Sequence, residues 1–425
     1  MSLVLRAVRI MDGEPVDVLI DGEFVTAIQA AGSADGDAVI DVTDHIALPG
    51  LVDLHTHLRE PGREDAETIL TGSQAAALGG FTCVHAMANT APVADTAGVV
   101  EQVWRRGAEA GLVDVRPVGA VTVGLGGTQL AEIGAMANSA AAVRVFSDDG
   151  KCVHDPLLMR RALEYVRAFD GVVAQHAQDP RLTENAQMNE GALSGTLGLA
   201  GWPAVAEESV IARDVLLAHH VGSRLHVCHV STAGSVDIIR WAKARGIDVT
   251  AEVTPHHLLL TEDLVAHYDP IYKVNPPLRT TEDVLALRLG VADGTIDAIA
   301  TDHAPHPHED KDCEWAAAAM GMIGLETALS IAIATLVEPG LLSWAQLSER
   351  MSIAPARIGR VLDHGLPIAV GSPANITIVD PLATRVIESG ASKSRNSPFL
   401  GMTLPGQVRH VFFRGRHTVR DGALT

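Results

Sequence analysis

The sequence predicts an α/β fold, a (β/α)8 barrel of the TIM type with a small β-sandwich built from both chain termini. Eight short, apolar, β-branched segments alternate with Ala- and Leu-rich helical segments, a pattern typical of parallel strands joined by crossover helices. Eight such units close a barrel. An open doubly wound sheet would place a Gly-rich phosphate turn after its first strand, and LVDLHTHLREPG (51–62) contains no such turn.

The elements follow from the hydrophobic pattern. The predicted barrel strands are, in order, 48–57, 81–90, 113–121, 141–149, 171–177, 224–231, 248–257 and 297–306. Helical patterns cover 64–78, 95–110, 155–168, 204–220 and 232–245. Both chain ends alternate like short strands around Gly and Asp turns. We therefore assign 48–359 to the barrel, and 1–47 with 360–425 to one composite β-sandwich.

Composition limits the classes of function. Hydrophobic residues make up 47% of the 425 residues, enough for a large core. The formal net charge of −20 argues against nucleic-acid binding, which needs a basic surface, and an anionic ligand would need local cationic or amide donors. Since no leader pattern and no run of about 18 apolar residues occurs, we expect a cytoplasmic protein without a membrane segment. Four scattered cysteines are expected to be free thiols: Cys83, Cys152, Cys228 and Cys313.

Polar side chains collect where the predicted strands end, which is the active-site face of a barrel. His55 and His57 end the first strand and point the same way because they lie two residues apart. Further candidates end the fourth, fifth, sixth and eighth strands: Asp148, Asp149, His176, His229, Asp302 and His303. Four His and two Asp of this set suit zinc, and two metal ions sharing a bridging carboxylate would use all six.

The other histidines have simpler interpretations. A single histidine outside this set is usually a hydrogen-bonded structural residue, and we assign that role to His85, His154, His219 and His220. His256 and His257 follow the seventh strand, but Pro255 predicts a turn there, so we expect them to support ligands rather than bind metal. The histidines of 303–308 could form a further metal site, although a substrate contact is the better interpretation of His306.

Eight motifs carry a resemblance to a known family. They are HTHLREPG (55–62), FSDDG (146–150), ENAQMNEGALSGTLGLAGWPAVAEES (184–209), CHVST (228–232), TPHHL (254–258), NPPLR (275–279), TDHAPH (301–306) and SPANITIVD (372–380). Together they resemble bacterial dihydroorotases of the long, bacillus-type class, in the amidohydrolase superfamily. HxH alone occurs in many amidohydrolases, whereas HxHxRxP combined with NPPLR and TDHAPH is specific. The similarity covers nearly the whole chain.

The resemblance implies a metal-dependent cyclic amide hydrolase that interconverts (S)-dihydroorotate and N-carbamoyl-L-aspartate in pyrimidine biosynthesis. It implies zinc as the cofactor, with one or two ions per subunit and a binuclear site favoured. His55 and His57 would hold one ion with Asp302, and His176 and His229 would hold the second.

The bridging ligand separates this class from its relatives. Dihydropyrimidinase-like relatives use a carbamylated lysine on the fourth strand, where this chain has Arg144, which cannot form that carbamate. Long-class dihydroorotases look different in using an Asp of the FSDDG motif. We choose Asp149 over Asp148, because its spacing to His176 better suits the family, and a carbamylated Lys151 is the remaining alternative.

The resemblance also assigns catalytic and substrate-binding roles. A metal-activated hydroxide would attack the ring carbonyl, and Asp302 would carry its proton to the ring nitrogen. Arg59 would bind the substrate carboxylate with its planar guanidinium. The remaining substrate contacts would be His57, Asn89, Asn275, His306, Met320 and Gly321. The segment 306–318 is predicted to be a mobile loop over the site.

Two other functions compete with this interpretation. A hydantoinase, dihydropyrimidinase or allantoinase would act on a neutral ring, which needs neither Arg59 nor NPPLR. A catalytically dead dihydroorotase-like scaffold for aspartate carbamoyltransferase would have lost metal ligands, and this chain has the full set. We expect a small anionic substrate as partner, with no nucleic acid and no membrane. A homodimer is expected, and association with aspartate carbamoyltransferase is left open.

Overall fold

The computed structural model describes residues 2–425. Within that range the strands are β1 (Leu3–Ile10), β2 (Pro15–Asp21), β3 (Phe24–Ala30), β4 (Ala38–Asp41), β5 (Ile46–Pro49), β6 (Leu51–Thr56), β7 (Phe81–Ala86), β8 (Asp114–Pro117), β9 (Val145–Phe146), β10 (Val172–Gln175), β11 (Met188–Asn189), β12 (Gly201–Trp202), β13 (Leu225–Val227), β14 (Val249–Val253), β15 (Ala298–Ile299), β16 (Ile376–Val386), β17 (Thr403–Phe413), β18 (Arg416–Arg420) and β19 (Ala423–Leu424).

The α-helices of the same residues are α1 (Ile69–Leu78), α2 (Ala97–Ala110), α3 (Ile133–Asn138), α4 (Pro156–Val166), α5 (Ala192–Leu197), α6 (Val205–Val221), α7 (Ala233–Ala244), α8 (Pro255–Leu259), α9 (Thr281–Asp293), α10 (His308–Lys311), α11 (Ala328–Ala332), α12 (Trp344–Ser348) and α13 (Ala354–Gly359). Short 3-10 segments lie at Val123–Leu125, Arg167–Phe169, Glu262–His267 and Pro270–Tyr272, and π-helical segments at Ile333–Val337 and Glu349–Ile353.

Eight parallel strands form a closed barrel, which confirms the predicted fold class. β6, β7 and β8 pair in order, and β9, β10, β13, β14 and β15 form a second parallel run. Parallel bridges from Gly119 to Phe146 and from Thr56 to His303 join the two runs. Closure brings the carboxyl ends of all eight strands to one face of the barrel.

The barrel strands end earlier than predicted. The eighth was predicted over 297–306, but β15 covers two residues of that range. The seventh was predicted over 248–257, and β14 ends just before Thr254. The hydroxyl of Thr254 accepts a hydrogen bond from the amide of His257, and Pro255 is the first residue of α8. The strand prediction was therefore wrong from Thr254 onward. The turn expected at Pro255 is the start of a short helix.

Helices cover the outside of the barrel at the predicted places. α1, α2, α4, α6 and α7 lie within the predicted ranges or one residue beyond them. Side-chain caps fix several starts, because Thr68, Asp155 and Thr232 each accept a backbone amide hydrogen bond from the first turn. α1 therefore begins at Ile69, five residues later than predicted.

Both chain ends contribute to one β-domain, the sandwich that the sequence predicted. Its strands pair in the order β19-β18-β17-β16-β5-β1-β2-β3, and β4 pairs with β1. β5 runs antiparallel to β16, so the two termini meet in the middle of the sheet. Gly50 separates β5 from the barrel strand β6, and a Cβ there would lie 2.3 Å from Oγ1 of Thr82. The chain thus passes from one domain to the other at a position that requires glycine.

Apolar packing joins the two domains. The largest buried cluster surrounds the barrel and includes residues of the terminal strands: Ile46, Leu48, Val379, Val411 and Val419. A second cluster fills the terminal domain itself, around Leu5, Val18, Ile376 and Phe412. Among residues 2–425, no helix has the length and apolar character needed to cross a bilayer.

A buried carboxylate stabilises the bend in β1. The strand changes partner at Ala7, where φ is 56° and its register with β2 shifts. Asp17 is fully buried, and its carboxylate accepts hydrogen bonds from the amides of Ala7 at 2.9 Å and Ala34 at 3.0 Å. The bend lets the first half of β1 pair with β4 and the second half with β5.

We expect Asp17→Ala to lower the free energy of unfolding by about 1–3 kcal/mol, because two buried amides lose their acceptor. Urea unfolding followed by circular dichroism measures the change. Asp35→Ala, at an exposed position of the same domain, is the matched control and should leave the unfolding midpoint unchanged. Equal midpoints for Asp17→Ala and the control would contradict this role.

Candidate active site

One cavity opens at the carboxyl ends of the barrel strands. Its volume is about 220 Å³, and it is lined by His57, Arg59, Asn89, Asp149, Gly150, His176, His229, Asn275, Asp302, Ala304, His306, Met320 and Gly321. Eleven of the twelve residues that the sequence singled out are in this lining. The twelfth, His55, lies fully buried beneath it.

His55, His57 and Asp302 meet on one side of Asp149. The Nε2 atom of His55 lies 3.2 Å from Oδ1 of Asp149, and Nε2 of His57 lies 3.3 Å from Oδ2. Oδ1 of Asp302 is 3.0 Å from Nε2 of His57 and 3.5 Å from Nε2 of His55. Two imidazoles and two carboxylates therefore share one small volume.

His176 and His229 meet on the other side of the same carboxylate. Nδ1 of His176 lies 3.3 Å from Oδ1 of Asp149, and Nε2 of His229 lies 3.4 Å from it. The two imidazole nitrogens are 2.8 Å apart. His55, His57 and Asp149 form one set of donors close enough for a single metal ion, and Asp149, His176 and His229 form another. Asp149 belongs to both sets.

The donor atoms fit a metal better than they fit one another. Nε2 of His55 and Oδ1 of Asp149 are buried and form no hydrogen bond with any of residues 2–425, although three imidazole nitrogens lie 3.2–3.4 Å from that oxygen. Buried polar atoms normally have partners. Imidazole nitrogen and carboxylate oxygen are ligands that zinc and related divalent ions accept. The set therefore fits divalent metal ions.

The neighbours of Asp149 face elsewhere. Asp148 accepts hydrogen bonds from the amides of Val121 and Thr122 at 2.8 and 2.9 Å, and from the Thr122 hydroxyl. Lys151 is exposed, and Arg144 donates to carbonyl oxygens outside the cavity. The geometry thus favours Asp149, as the sequence analysis preferred, over both Asp148 and a modified Lys151.

Charge within the cluster counteracts burial. Burial raises the pKa of Asp149, but the charge of His55 and the close approach of the His176 and His229 imidazoles hold it well below its usual range. Burial likewise acts on Asp302, whose pKa is lowered by the charges of His55 and His57. The pKa of His55 is raised well above its usual value by Asp149 and Asp302, against the effect of burial. Both carboxylates are consequently ionised.

A second layer of polar side chains fixes the imidazoles. Nδ1 of His55 lies 2.7 Å from Oε1 of Glu252, and Nε2 of His176 lies 2.7 Å from Oε1 of Gln178. Each contact determines which ring nitrogen is left for the cluster. Neither Glu252 nor Gln178 was predicted from the sequence. An acid in the middle of the apolar strand VTAEV was the available signal for Glu252.

Asn89, which was predicted to contact the substrate, also contacts a histidine of the cluster. Its Oδ1 lies 2.9 Å from Nδ1 of His57, and its Nδ2 lies 3.5 Å from the carbonyl oxygen of Asp149. It lines the cavity while also orienting a metal-site imidazole. A substrate contact by Asn89 therefore stays a prediction.

Three site residues adopt left-handed backbone conformations. The φ angles of Arg59, His229 and Asp302 are 60°, 31° and 45°. Such angles are uncommon for residues other than glycine and are concentrated at functional sites. They turn these side chains out of the strand alternation and into the cavity.

The opposite wall carries the predicted substrate-binding residues. Nε of Arg59 donates to the carbonyl oxygen of Pro305 at 3.0 Å, which anchors the guanidinium. Its remaining hydrogen bond is a long one, 3.5 Å from Nη2 to Nε2 of His306. Nδ2 of Asn275 donates to Gln178 at 3.2 Å, while Oδ1 of Asn275 is buried without a hydrogen-bond partner among the described residues. The wall thus presents a cation and a free amide oxygen.

Histidines outside the cluster have separate partners. Nδ1 of His85 lies 2.9 Å from the carbonyl oxygen of Asp53. Nε2 of His303 lies 3.3 Å from Glu67, and the exposed His308 pairs with Asp312. The histidines of 303–308 therefore do not converge on a further metal site.

The two histidines of α8 differ from each other. His257 contacts the Thr254 hydroxyl at 2.7 Å and the carbonyl oxygen of Pro276 at 3.2 Å, so it holds the NPPLR turn. Nε2 of His256 is buried and has no hydrogen-bond partner in residues 2–425. The sequence predicted that these residues support the metal ligands, but neither hydrogen-bonds to the imidazoles of His55, His57, His176 or His229 among the described residues.

Comparisons with known proteins identify the family of this chain. A family model described as Dihydro-orotase-like matches residues 44–235. The chain is 67% identical over 424 residues to a dihydroorotase of Streptomyces coelicolor, covering 99% of each chain. It is 56% identical to a dihydroorotase of Mycobacterium tuberculosis, covering 100% of each.

Solved structures of the same shape include L-hydantoinase from Arthrobacter aurescens, with a TM-score of 0.88, 25% identity, and coverage of 100% of this chain and 97% of that one. Dihydropyrimidinase from Brevibacillus agri gives a TM-score of 0.85 at 25% identity, with coverage of 100% and 96%. These matches support the barrel with its terminal sandwich and indicate a metal-dependent cyclic amide hydrolase. Because the identity to dihydroorotases is far higher and spans the full length, the chain belongs to the dihydroorotase family.

Proposed function

We propose that this chain catalyses the reversible hydrolysis of (S)-dihydroorotate to N-carbamoyl-L-aspartate, a step of pyrimidine biosynthesis. One observation carries the proposal: the cavity that holds two sets of metal donors around Asp149 also holds the guanidinium of Arg59 in its wall. A metal centre suits the opening of a cyclic amide, and a guanidinium suits the carboxylate of this substrate.

We propose zinc as the cofactor, with two ions per subunit. His55, His57 and Asp302 would hold one ion, His176 and His229 would hold the other, and Asp149 would be shared. When bound, such ions lower the pKa of a water molecule and polarise a carbonyl group.

The chain's own residues would bind the substrate and move its proton. Asp302 lines the cavity beside both imidazoles of the first set, where its carboxylate can take a proton from the attacking water. The same carboxylate would then give that proton to the ring nitrogen as the amide bond breaks. Arg59, fixed by Pro305, would hold the substrate carboxylate, with Asn275 and His306 beside it.

The alternative of a hydantoinase-type enzyme rests on the shared fold. The solved neighbours with those names are 21–25% identical to this chain, whereas its dihydroorotase relatives reach 67%. The guanidinium of Arg59 would have no anionic partner on a neutral ring. The homodimer, the association with aspartate carbamoyltransferase and the cytoplasmic location remain predictions.

The proposal is tested by assaying one zinc-loaded preparation with N-carbamoyl-L-aspartate, dihydroorotate and hydantoin, with metal counted in parallel. We expect turnover of the first two compounds, loss of turnover on chelation and recovery with zinc. Arg59→Met should lower kcat/KM roughly 100-fold, because a charge-assisted contact with the carboxylate is lost. Arg240→Met, at an exposed ion pair of α7, is the matched control. Turnover of hydantoin alone would refute the substrate assignment.

Asp302→Asn should reduce turnover by about 10²–10⁴-fold, since an amide cannot accept the proton. We expect the variant to retain most of its metal, because five other donors remain. Steady-state kinetics together with elemental analysis measures both quantities. A variant with near-normal rates would exclude Asp302 as the proton carrier.

Glu252→Gln should weaken metal binding by about 10–100-fold. The carboxylate lies between two imidazoles, 2.7 Å from Nδ1 of His55 and 3.0 Å from Nε2 of His226, and a neutral amide cannot accept from both. Competition with a chromophoric chelator measures the affinity without reference to activity. Glu184→Gln, on the surface, controls for the loss of one negative charge. Unchanged affinity in Glu252→Gln would remove this residue from the metal site.

A further inference from the structure

The 305–321 segment forms one wall of the active-site cavity. His306 near its start, and Met320 and Gly321 at its end, line the cavity directly. Between them the chain forms the short helix α10 and a run of turns. Since both ends of the segment face the cavity, whatever fixes its backbone also fixes the shape of the substrate side.

Lys311 holds the end of this segment through its ammonium group. Nζ donates to the carbonyl oxygens of Ala319 at 2.9 Å, Gly321 at 3.0 Å and Lys273 at 3.1 Å. An ammonium has three N–H donors, so all three are used. The carbonyl of Lys273 also accepts from the amide of Gly321 at 2.9 Å. These contacts join the cavity wall to the loop that leads from Lys273 to Asn275.

Lys311 is buried without a carboxylate partner. Its side chain is 7% exposed, and it forms no ion pair with any carboxylate of residues 2–425. Burial and the charge of Lys273 lower the pKa of Lys311 to about 7. Burying an ammonium without a counter-ion costs free energy that an apolar side chain would not cost. The three carbonyl oxygens that the ammonium binds therefore explain a lysine at this position. A contribution to the free energy of unfolding does not explain it.

We propose that Lys311 is a positioning residue for the substrate side of the active site, setting the backbone of Met320 and Gly321 through its three carbonyl contacts. The proposal rests on the proposed function for its substrate. Lys311 is not itself among the residues that line the cavity, and it belongs to neither set of metal donors. Its effect on the reaction would pass through the wall that it orders.

The contacts around His306 make this wall sensitive to small shifts. Nε2 of His306 lies 3.1 Å from the carbonyl oxygen of Met320. A Cβ on Gly321 would lie 2.9 Å from the same nitrogen, so Gly321 already packs closely against the imidazole. A displaced Gly321 would therefore move His306, which also lies 3.5 Å from the guanidinium of Arg59.

The variant Lys311→Met should fold. The carbonyl of Gly321 keeps a second donor in Asn396, at 3.2 Å, and the carbonyl of Lys273 keeps the amide of Gly321. Only the carbonyl of Ala319 loses the one hydrogen bond found for it among the described residues. The apolar side chain of Met also removes the cost of burying a charge.

We expect Lys311→Met to raise the KM for dihydroorotate about tenfold, on the scale of one lost charge-assisted hydrogen bond, with kcat within roughly threefold. Its melting temperature should be equal to or above that of the wild type. Hydrogen–deuterium exchange of the zinc-loaded protein should show faster exchange of the amides of Ala319 and Gly321. A merely structural lysine would instead lower the melting temperature and leave the KM unchanged.

Two matched variants complete the test. Lys273→Met removes a buried lysine that donates to Trp315 and Ala316 in the same segment, and it should affect KM less because that part does not line the cavity. Lys243→Met removes the ion pair between α7 and Asp297 and should change neither KM nor exchange at Gly321.

Unaltered exchange at Ala319 and Gly321 in Lys311→Met, or an unaltered KM, would overturn the proposal. A wild-type protein that does not turn over dihydroorotate would instead refute the proposed function, while exchange would still decide whether Lys311 orders the wall.

Discussion

The convergence of three imidazole nitrogens on one carboxylate oxygen of Asp149 is the constraint on which the rest of the site depends. Oδ1 lies 3.2–3.4 Å from His55, His176 and His229, yet accepts a hydrogen bond from none of them. These residues come from four strands, so the arrangement exists only when the barrel is closed. The bridge from Thr56 to His303 completes that closure and brings the first and eighth strands, with their ligands, to the same place. Closure of the sheet therefore also assembles this cluster of possible metal donors.

The polar layer around the cluster explains why the strands end early. Regular pairing would alternate side chains between the inside and outside of the barrel, but the ligands must all reach inward. Left-handed φ angles at His229 and Asp302 end the regular pairing and redirect those side chains. Such conformations cost free energy and persist only when surrounding contacts fix them. The imidazoles of His55 and His176 are held separately, by contacts of their outer nitrogens with Glu252 and Gln178.

Periodicity and residue type were sufficient to predict the barrel, the terminal sandwich and the histidines and aspartates at the strand ends. Other residues of the cavity lining were predicted only through the resemblance to dihydroorotases: Arg59, Asn89, Asn275, Met320 and Gly321. Periodicity and residue type are local signals, and His176 is noticed because it ends an apolar run. Glu252 and Lys311 escaped prediction because their roles depend on pairs that lie far apart in sequence or on backbone carbonyls. His55 and Glu252 lie 197 residues apart in the chain, so no local sequence pattern predicts that they are in contact. Asp148 and Asp149 were separable only by family spacing, whereas the structure separates them by hydrogen bonds to Thr122. A short helix stands where a strand was predicted because Thr254 caps a helix that begins at Pro255.

The fold alone does not specify the substrate, because hydantoinases share it with TM-scores of up to 0.88. Specificity must therefore arise from side chains at the cavity. In a chain with a formal charge of −20, the long-range field repels an anionic substrate, so binding has to come from contacts at short range. Arg59 meets that requirement: it lines the cavity, and its anchoring to Pro305 uses only Nε. Pro305 begins the same segment that Lys311 fixes at its other end, so the guanidinium and the wall opposite the metal donors are positioned by one stretch of backbone. Charge recognition and cavity shape are thus linked through the 305–321 segment, whereas the metal donors are held by the barrel itself.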